Sequence, residues 1–286
     1  MSIQETHAAP DPRRDTQRER GLTCVATYER VVGASAERVW ENVRDWEHLP
    51  WLHAGSFSSI ACVAAGRWGW RAQIGLLDAS EILLELVIEP DEPRYVSRTL
   101  AGGGAGSEIW TRVDARGKDE TAVHVEFWLK DVPEGQRGRL GEIFTKLYTA
   151  LWDEDEEMMR VRERALRARS ARGGNGSGSG DGGEAPVQLG TLEELLPRLP
   201  LLAEYRGERF RIVRHEGELV AHAVTCPHRL GPLEDAPVAE GRITCPWHGY
   251  AFDVTTGREC TGRGLRLAAA PAVRVDAETR EVSFGR

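Results

Sequence analysis

The spacing of apolar positions changes period several times along the chain. After about twenty polar and charged residues, the stretch TCVATYERVVG at 23–33 reads as a strand. From Ser35 the period lengthens. Ser35 is placed as an N-cap, and Glu37 falls in the first turn, where a negative charge suits the helix dipole. Val39, Trp40 and Val43 share one helical face, although Arg38 at the third position after the cap completes no capping box. Strand-like stretches return around 56–64, 67–76, 81–89, 94–100, 107–114 and 121–131, separated by Gly, Asp or Pro. In AVHVEFWLK the alternation puts Val123, Val125, Phe127 and Leu129 on one face. A helical pattern from about Glu134 to Arg169 closes the segment, with Leu140, Phe144, Leu147, Leu151, Met158 and Met159 mostly at three- and four-residue steps. This order predicts an α+β helix-grip domain over 22–169, in which a curved antiparallel sheet holds the last helix.

The pattern then stops. Residues 173–184 read GGNGSGSGDGGE, the core of a flexible linker over 170–185 with a reach of roughly 20–25 Å. Beyond it, 186–286 is hairpin material (GERFRIVRHEG, ELVAHAVT, GRITCP, YAFDVTTG, TREVSFGR), which predicts a small all-β domain. The opening residues 1–21 are read as a disordered lead-in without the apolar core of a secretory signal. A net charge of −8 argues against a nucleic-acid partner, and no apolar run approaches the roughly 20 residues that span a bilayer. The five cysteines are odd in number and sparse, which argues against a disulfide framework and for a reducing cytoplasm. In that setting, cysteines close to histidines are read as metal ligands.

Two such pairs stand in the C-terminal domain. Cys226-Pro-His228 is followed, after 16 residues, by Cys245-Pro-Trp-His248. Zinc is the alternative for a Cys₂His₂ set, but zinc fingers usually pair the cysteines in one short motif and the histidines in another. One Cys and one His from each loop suits a binuclear cluster, with thiolates on one iron and imidazoles on the other. CPHRLGPLED and CPWHGYAFDVTTGR resemble the two cluster loops of the Rieske family, and the resemblance covers nearly all of 186–286. It implies a [2Fe–2S] cluster on Cys226, His228, Cys245 and His248. Gly231 and Trp247 stand where the respiratory and photosynthetic members carry an inter-loop disulfide, and Tyr250 and Phe252 stand where those members carry a Ser and a Tyr that donate to the cluster. Fewer donors imply a low-potential cluster of the oxygenase and ferredoxin type. Arg229, Trp247 and Tyr250 lean towards the oxygenases. Cys260 has no partner at metal spacing and is expected to be a buried or half-buried thiol.

The N-terminal segment WENVRDWEHLPWLHAGSF, 40–57, holds a second constellation, Asp45-x-x-His48-x-x-x-x-His53. Domains resembling the START and polyketide-cyclase superfamily often carry an Asp and a Pro-Trp here for structural reasons. The segment also resembles the mononuclear-iron motif of Rieske non-haem oxygenases, matched by Glu41, Asn42, Asp45, His48 and His53. That resemblance implies Fe(II) on His48 and His53, with Asp45 bridging a cluster-ligand His to an iron-ligand His. Positions five apart on a helix are well out of phase, and Pro50 is expected to break the helix and let both rings converge. A facial triad needs a carboxylate. Asp155 falls inside the apolar stripe of the last helix, where a carboxylate is costly unless paired or metal-bound, whereas Asp153, Glu156 and Glu157 fall away from it and Glu154 lies at its edge. LWDEDEEMM also resembles the family's late acidic segment. His124 and Glu126 face away from the apolar set of their strand, towards either a cavity or solvent. GGGAG at 102–106 is read as a turn, and His215 and His222 are placed in strands without a role. No strand-GxGxxG-helix unit encodes a dinucleotide site.

Together these readings imply a Rieske-type oxygenase component with its domains in reversed order. A separate reductase or ferredoxin would supply electrons to the cluster, and the mononuclear iron would activate O₂ to oxidise a small, hydrophobic organic substrate in a roomy cavity. In that family electrons pass between neighbouring subunits of a homo-oligomeric ring; a linker of this length also allows transfer within one chain. The rival reading is a Rieske electron carrier fused to a ligand-binding or cyclase-like domain without a second iron.

Overall fold

The computed structural model describes residues 20–174 and 185–285. The first nineteen residues and most of the Gly/Ser stretch lie outside the described residues. Two compact units meet at Met159 and Arg160, inside one long helix, and each is taken by itself.

The first unit is a helix grip. β1 (Leu22–Val32) leads into helices α1 (Ala36–Arg44) and α2 (Leu49–Leu52). The strands β2 (Phe57–Gly66), β3 (Gly69–Leu76), β4 (Glu81–Ile88), β5 (Arg94–Ala101), β6 (Glu108–Gly117) and β7 (Glu120–Lys130) follow, and then the helix α3 (Arg137–Gly174). All seven strands form one antiparallel sheet in the order β1-β7-β6-β5-β4-β3-β2. The expected strands are all present to within two or three residues. The final helix starts three residues later than expected and runs five residues past Arg169.

The alternation on β7 decides how α3 docks. Val125, Phe127 and Leu129 are buried against Leu140, Phe144 and Tyr148 of α3. Phe127 meets Phe144 and Tyr148 at ring-centroid distances of 5.4 and 4.8 Å. Further along, Trp152 and Met159 join Val39, Val43, Trp70 and Ile74 in the main core. The outer face of the sheet is not plain solvent surface. Glu108 opposes Trp128 and Trp110 opposes Glu126 across the β6–β7 register. Glu108 accepts the Trp110 indole N–H at 3.0 Å and Glu126 that of Trp128 at 2.9 Å. His124 stands on this face beside Glu29 and Glu126, away from the inner cavity.

α1 is capped as the sequence predicts: the Ser35 hydroxyl accepts from Arg38 N at 3.3 Å. Two bonds anchor its ends. Thr121 Oγ1 donates to Ala34 O at 2.8 Å, and Trp70 Nε1 donates to Val43 O at 3.0 Å. Pro50 does not break a helix, contrary to expectation. It sits in the first turn of α2, where a missing N–H costs nothing, and the chain has already left α1 at Asp45.

The second unit holds three small sheets. β8 (Val187–Thr191) joins β16 (Glu281–Gly285) and β15 (Ala272–Val275); β9 (Leu201–Tyr205) joins β10 (Glu208–His215) and β11 (Glu218–Ala223); β12 (Val238–Ala239) joins β13 (Arg242–Thr244) and β14 (Ala251–Asp253). A one-turn helix α4 (Leu192–Leu195) carries a full capping box from Thr191 and Glu194. Phe210, Ile212, Leu233, Ile243, Phe252 and Phe284 are buried in this unit. His215 and His222 lie on strands, as expected. Cys260 is exposed, contrary to expectation: it lies between β14 and β15 in a loop with no regular apolar period to place its side chain inside.

Candidate metal centres

Two loops of the second unit carry the Cys and His pairs, and they share one backbone pattern. Cys226 N donates to Gly231 O at 2.8 Å, and Leu230 N returns to Cys226 O at 3.1 Å. In the other loop Cys245 N donates to Tyr250 O and Gly249 N returns to Cys245 O, each at 2.9 Å. The fourth residue after each Cys has a left-handed backbone, φ 63° at Leu230 and 67° at Gly249. Leu230 accepts a conformation that glycine adopts without steric cost.

These matched turns aim four side chains together. Cys226 and Cys245 are 1% exposed, and the rings of His228 and His248 lie 4.6 Å apart, nearly perpendicular. The thiols bond to each other. That bond, with burial, pushes Cys226 well above the usual thiol range, while the same bond draws Cys245 down to about 5. The Nδ1 atoms of both histidines are buried, and a bond from His248 adds to the lowering of Cys245. Gly231 completes the cradle: a Cβ there would stand 2.7 Å from Cys245 Sγ, so this position has no room for a side chain. Two sulfurs and two imidazole nitrogens fit the donor set of a Rieske cluster.

A family model described as "Rieske [2Fe-2S] domain" matches residues 186–267. The second unit contains a Rieske domain. It implies a [2Fe–2S] cluster and a role in electron transfer. Apoptosis-inducing factor 3 of Mus musculus is 41% identical over 46 residues, 16% of this chain and 8% of that protein. The oxygenase component of dicamba O-demethylase from Stenotrophomonas maltophilia is 38% identical over 58 residues, 19% of this chain and 16% of that one. The chain thus spans less than a fifth of the length of these curated relatives. A START superfamily protein from Mycobacterium smegmatis matches 46% of the chain and 97% of its own length, at 20% identity and a TM-score of 0.40.

The first unit brings a second group together. His48 and His53 cap the two ends of α2, so one helical turn sets their spacing, and their rings lie 5.1 Å apart. Asp155 reaches them from α3, with Oδ1 3.1 Å from His53 Nε2 and 3.5 Å from His48 Nε2. One donor atom from each of the three lies within 4.8 Å of the others. Bonds of roughly 2.1 Å at right angles would put donors about 3 Å apart, so the trio suits one face of an octahedral ion. Asp45 is buried and lines the same cavity as His48, at 8% exposure.

Two residues without an assigned role hold this group. Asn42 Nδ2 donates to Asp155 Oδ1 at 2.8 Å, which fixes the carboxylate. Glu154 Oε2 lies 2.6 Å from His53 Nδ1 and accepts its proton, leaving Nε2 to face Asp155. Adjacent helix positions point 100° apart, so Glu154 and Asp155 reach opposite nitrogens of one ring. Glu156 is not a solvated residue either: it bonds Arg30 and accepts from Gly33 N at 2.9 Å, tying α3 to the end of β1. Burial alone would lower the His53 pKa, but the hydrogen bond and charge of Asp155, with Glu154, raise it. Burial would likewise raise Asp155, but the bond from His53, the nearby imidazoles and Asn42 hold it low. Asp155 and the two imidazoles therefore attract one another across the site.

Beside it lies a cavity of about 130 Å³, walled by Trp70, Leu84, Leu86, Tyr95, Ser97 and Tyr148. It is smaller than the roomy pocket expected; an apolar cavity of about 150 Å³ holds benzene. Burial pushes both phenols up, so they stay protonated. Among the described residues no helix is long and apolar enough to cross a membrane.

Proposed function

We propose that this chain is the oxygenase component of a Rieske-type system, oxidising a small, largely apolar organic substrate with O₂. The observation that carries this reading is the convergence of His48, His53 and Asp155 beside an aromatic cavity, in a chain that also holds a Rieske domain. The local similarity to the dicamba O-demethylase oxygenase component supports it. Cys226, His228, Cys245 and His248 would hold the cluster, and His48, His53 and Asp155 would hold Fe(II). When bound, that iron supplies the open coordination positions at which O₂ and substrate meet, while the cluster supplies electrons. The protein's own part is orientation and exclusion. Glu154 sets the His53 tautomer, Asn42 fixes Asp155, and Trp70, Leu84 and Leu86 keep water from the face where substrate would lie. Tyr95 and Ser97 offer hydroxyls for a polar substituent. Asp45, three residues before His48, is the candidate bridge between the centres. A separate reductase or ferredoxin would be the electron donor, and subunits of a homo-oligomer could share the electron path.

A second reading has its own support. Buried His53, half-buried Asp155 and exposed Glu154 satisfy one another as an ion-paired network, which an electron carrier fused to a small-ligand domain could keep without iron. Iron and sulfide analysis separates the two. The oxygenase reading expects about three irons per two acid-labile sulfides after anaerobic Fe(II) loading, falling to two in His48→Ala with the cluster spectrum intact. A wild-type ratio that stays at two overturns it.

A further inference from the structure

One aromatic ring links the cluster loops to an exposed cation. The Tyr250 ring stacks on His228 with centroids 4.3 Å apart and planes 26° from parallel. The Arg263 guanidinium lies over the same Tyr250 ring, with Cζ 4.2 Å from its centroid. Tyr250 is buried, while Arg263 is exposed in the loop between β14 and β15. The guanidinium therefore stands one ring away from an imidazole placed on the cluster, held there by attraction between the cation and the π face.

We propose that Arg263 sets the reduction potential of the cluster, raising it through its charge and its stack on Tyr250. The inference rests on the assignment of His228 as a cluster ligand. Reduction brings one electron from the donor protein onto the cluster, whose total charge falls by one; the donor loses that electron, and no proton need move. A nearby positive charge favours the more negative state, and it acts more strongly through a protein edge than through water. The effect opposes the lowering expected where Tyr250 and Phe252 replace the hydrogen-bond donors of high-potential relatives. An arginine suits this position because its planar cation stays charged at any physiological pH and can lie flat on an aromatic ring.

The test is a redox titration of the full-length, cluster-loaded protein, followed by the Rieske electron paramagnetic resonance signal, in Arg263→Lys, Arg263→Gln and Arg263→Glu. The Gln variant is expected to shift the reduction equilibrium about tenfold towards the oxidised cluster, which for one electron is about 59 mV. Lys should recover most of that shift, and Glu should exceed it. The wild-type potential should fall towards that of the Gln variant as salt screens the charge. A merely structural role would change cluster retention without ordering potentials by charge. If Gln loses its cluster, the Lys and Glu variants must still keep that order. Gln and Glu variants that titrate at the wild-type potential overturn the inference. A wild-type protein with no Rieske signal overturns the ligand assignment instead.

Discussion

His53 is gripped at both nitrogens by neighbouring residues of one helix, and the grip predicts how the site responds to substitution. Glu154→Ala removes the acceptor at Nδ1 while leaving Asp155 in place, so the ring loses its fixed tautomer and orientation. Loss of such an outer carboxylate typically weakens metal affinity 10–100-fold. Titration of the apo site with Co(II), read by its visible bands, is expected to show that loss, with Glu154→Gln recovering part of it. An unchanged affinity would mean that Glu154 is a bystander. A second residue-scale expectation concerns pH. Hydrogen bonding to Glu126, against the opposing effect of burial and with help from Glu29, raises the His124 pKa above its usual 6.5. A raised folded-state pKa gives stability that is fully present below pH 6.5 and disappears as pH rises through the folded value. The difference in denaturant midpoint between His124→Asn and wild type should therefore be largest below pH 6.5 and shrink as pH rises above it. Asp155 was legible from sequence because a carboxylate in an apolar stripe demands a partner. Glu154 was not, because its partner is a ring whose direction depends on the turn after α1. Cys260 was misplaced because nothing periodic surrounds it.

At the scale of elements, the strands followed from alternation, since one buried face leaves each residue only one of two orientations. Helix ends were less readable: the Arg-rich end of α3 has no apolar stripe to mark where it stops. Pro50 was misread because a proline interrupts a helix interior but starts a helix without cost, and sequence alone did not show that α1 had already ended. The seating of α3 on β1 gives a further test. Gly141 lies within α3, where alanine normally gains about 1 kcal/mol. Here a Cβ would stand 2.7 Å from Val25 O and 3.1 Å from the Ala26 methyl, a collision with backbone. Gly141→Ala should therefore destabilise the first unit by about 1–3 kcal/mol, the usual cost of overpacking. A thermal midpoint at or above wild type would show that α3 is seated more loosely than described.

At the scale of the whole molecule, each unit closes its own core and holds its own candidate centre. Asp155→Ala is thus expected to abolish third-metal binding while the visible absorption of the cluster stays at wild-type intensity, and chelation of weakly held iron should have the same selective effect. Loss of both signals together would show that the centres depend on one another for folding. The two-part architecture was readable because composition and period change sharply near residue 173, whereas the size of the cavity was not, being set by how far Trp70, Tyr95 and Tyr148 fill the grip. The long separation between the parts of the His53 site has a consequence for the protein's synthesis. His53 leaves the ribosome 101 residues before Glu154, and Asp155 comes one later still. Until α3 has emerged and docked, the two imidazoles have neither carboxylate, so no complete three-donor site exists on the nascent chain. If the trio holds a metal, three-donor binding would wait until α3 is in place, so the identity of the ion would be decided by the metals available to the finished domain.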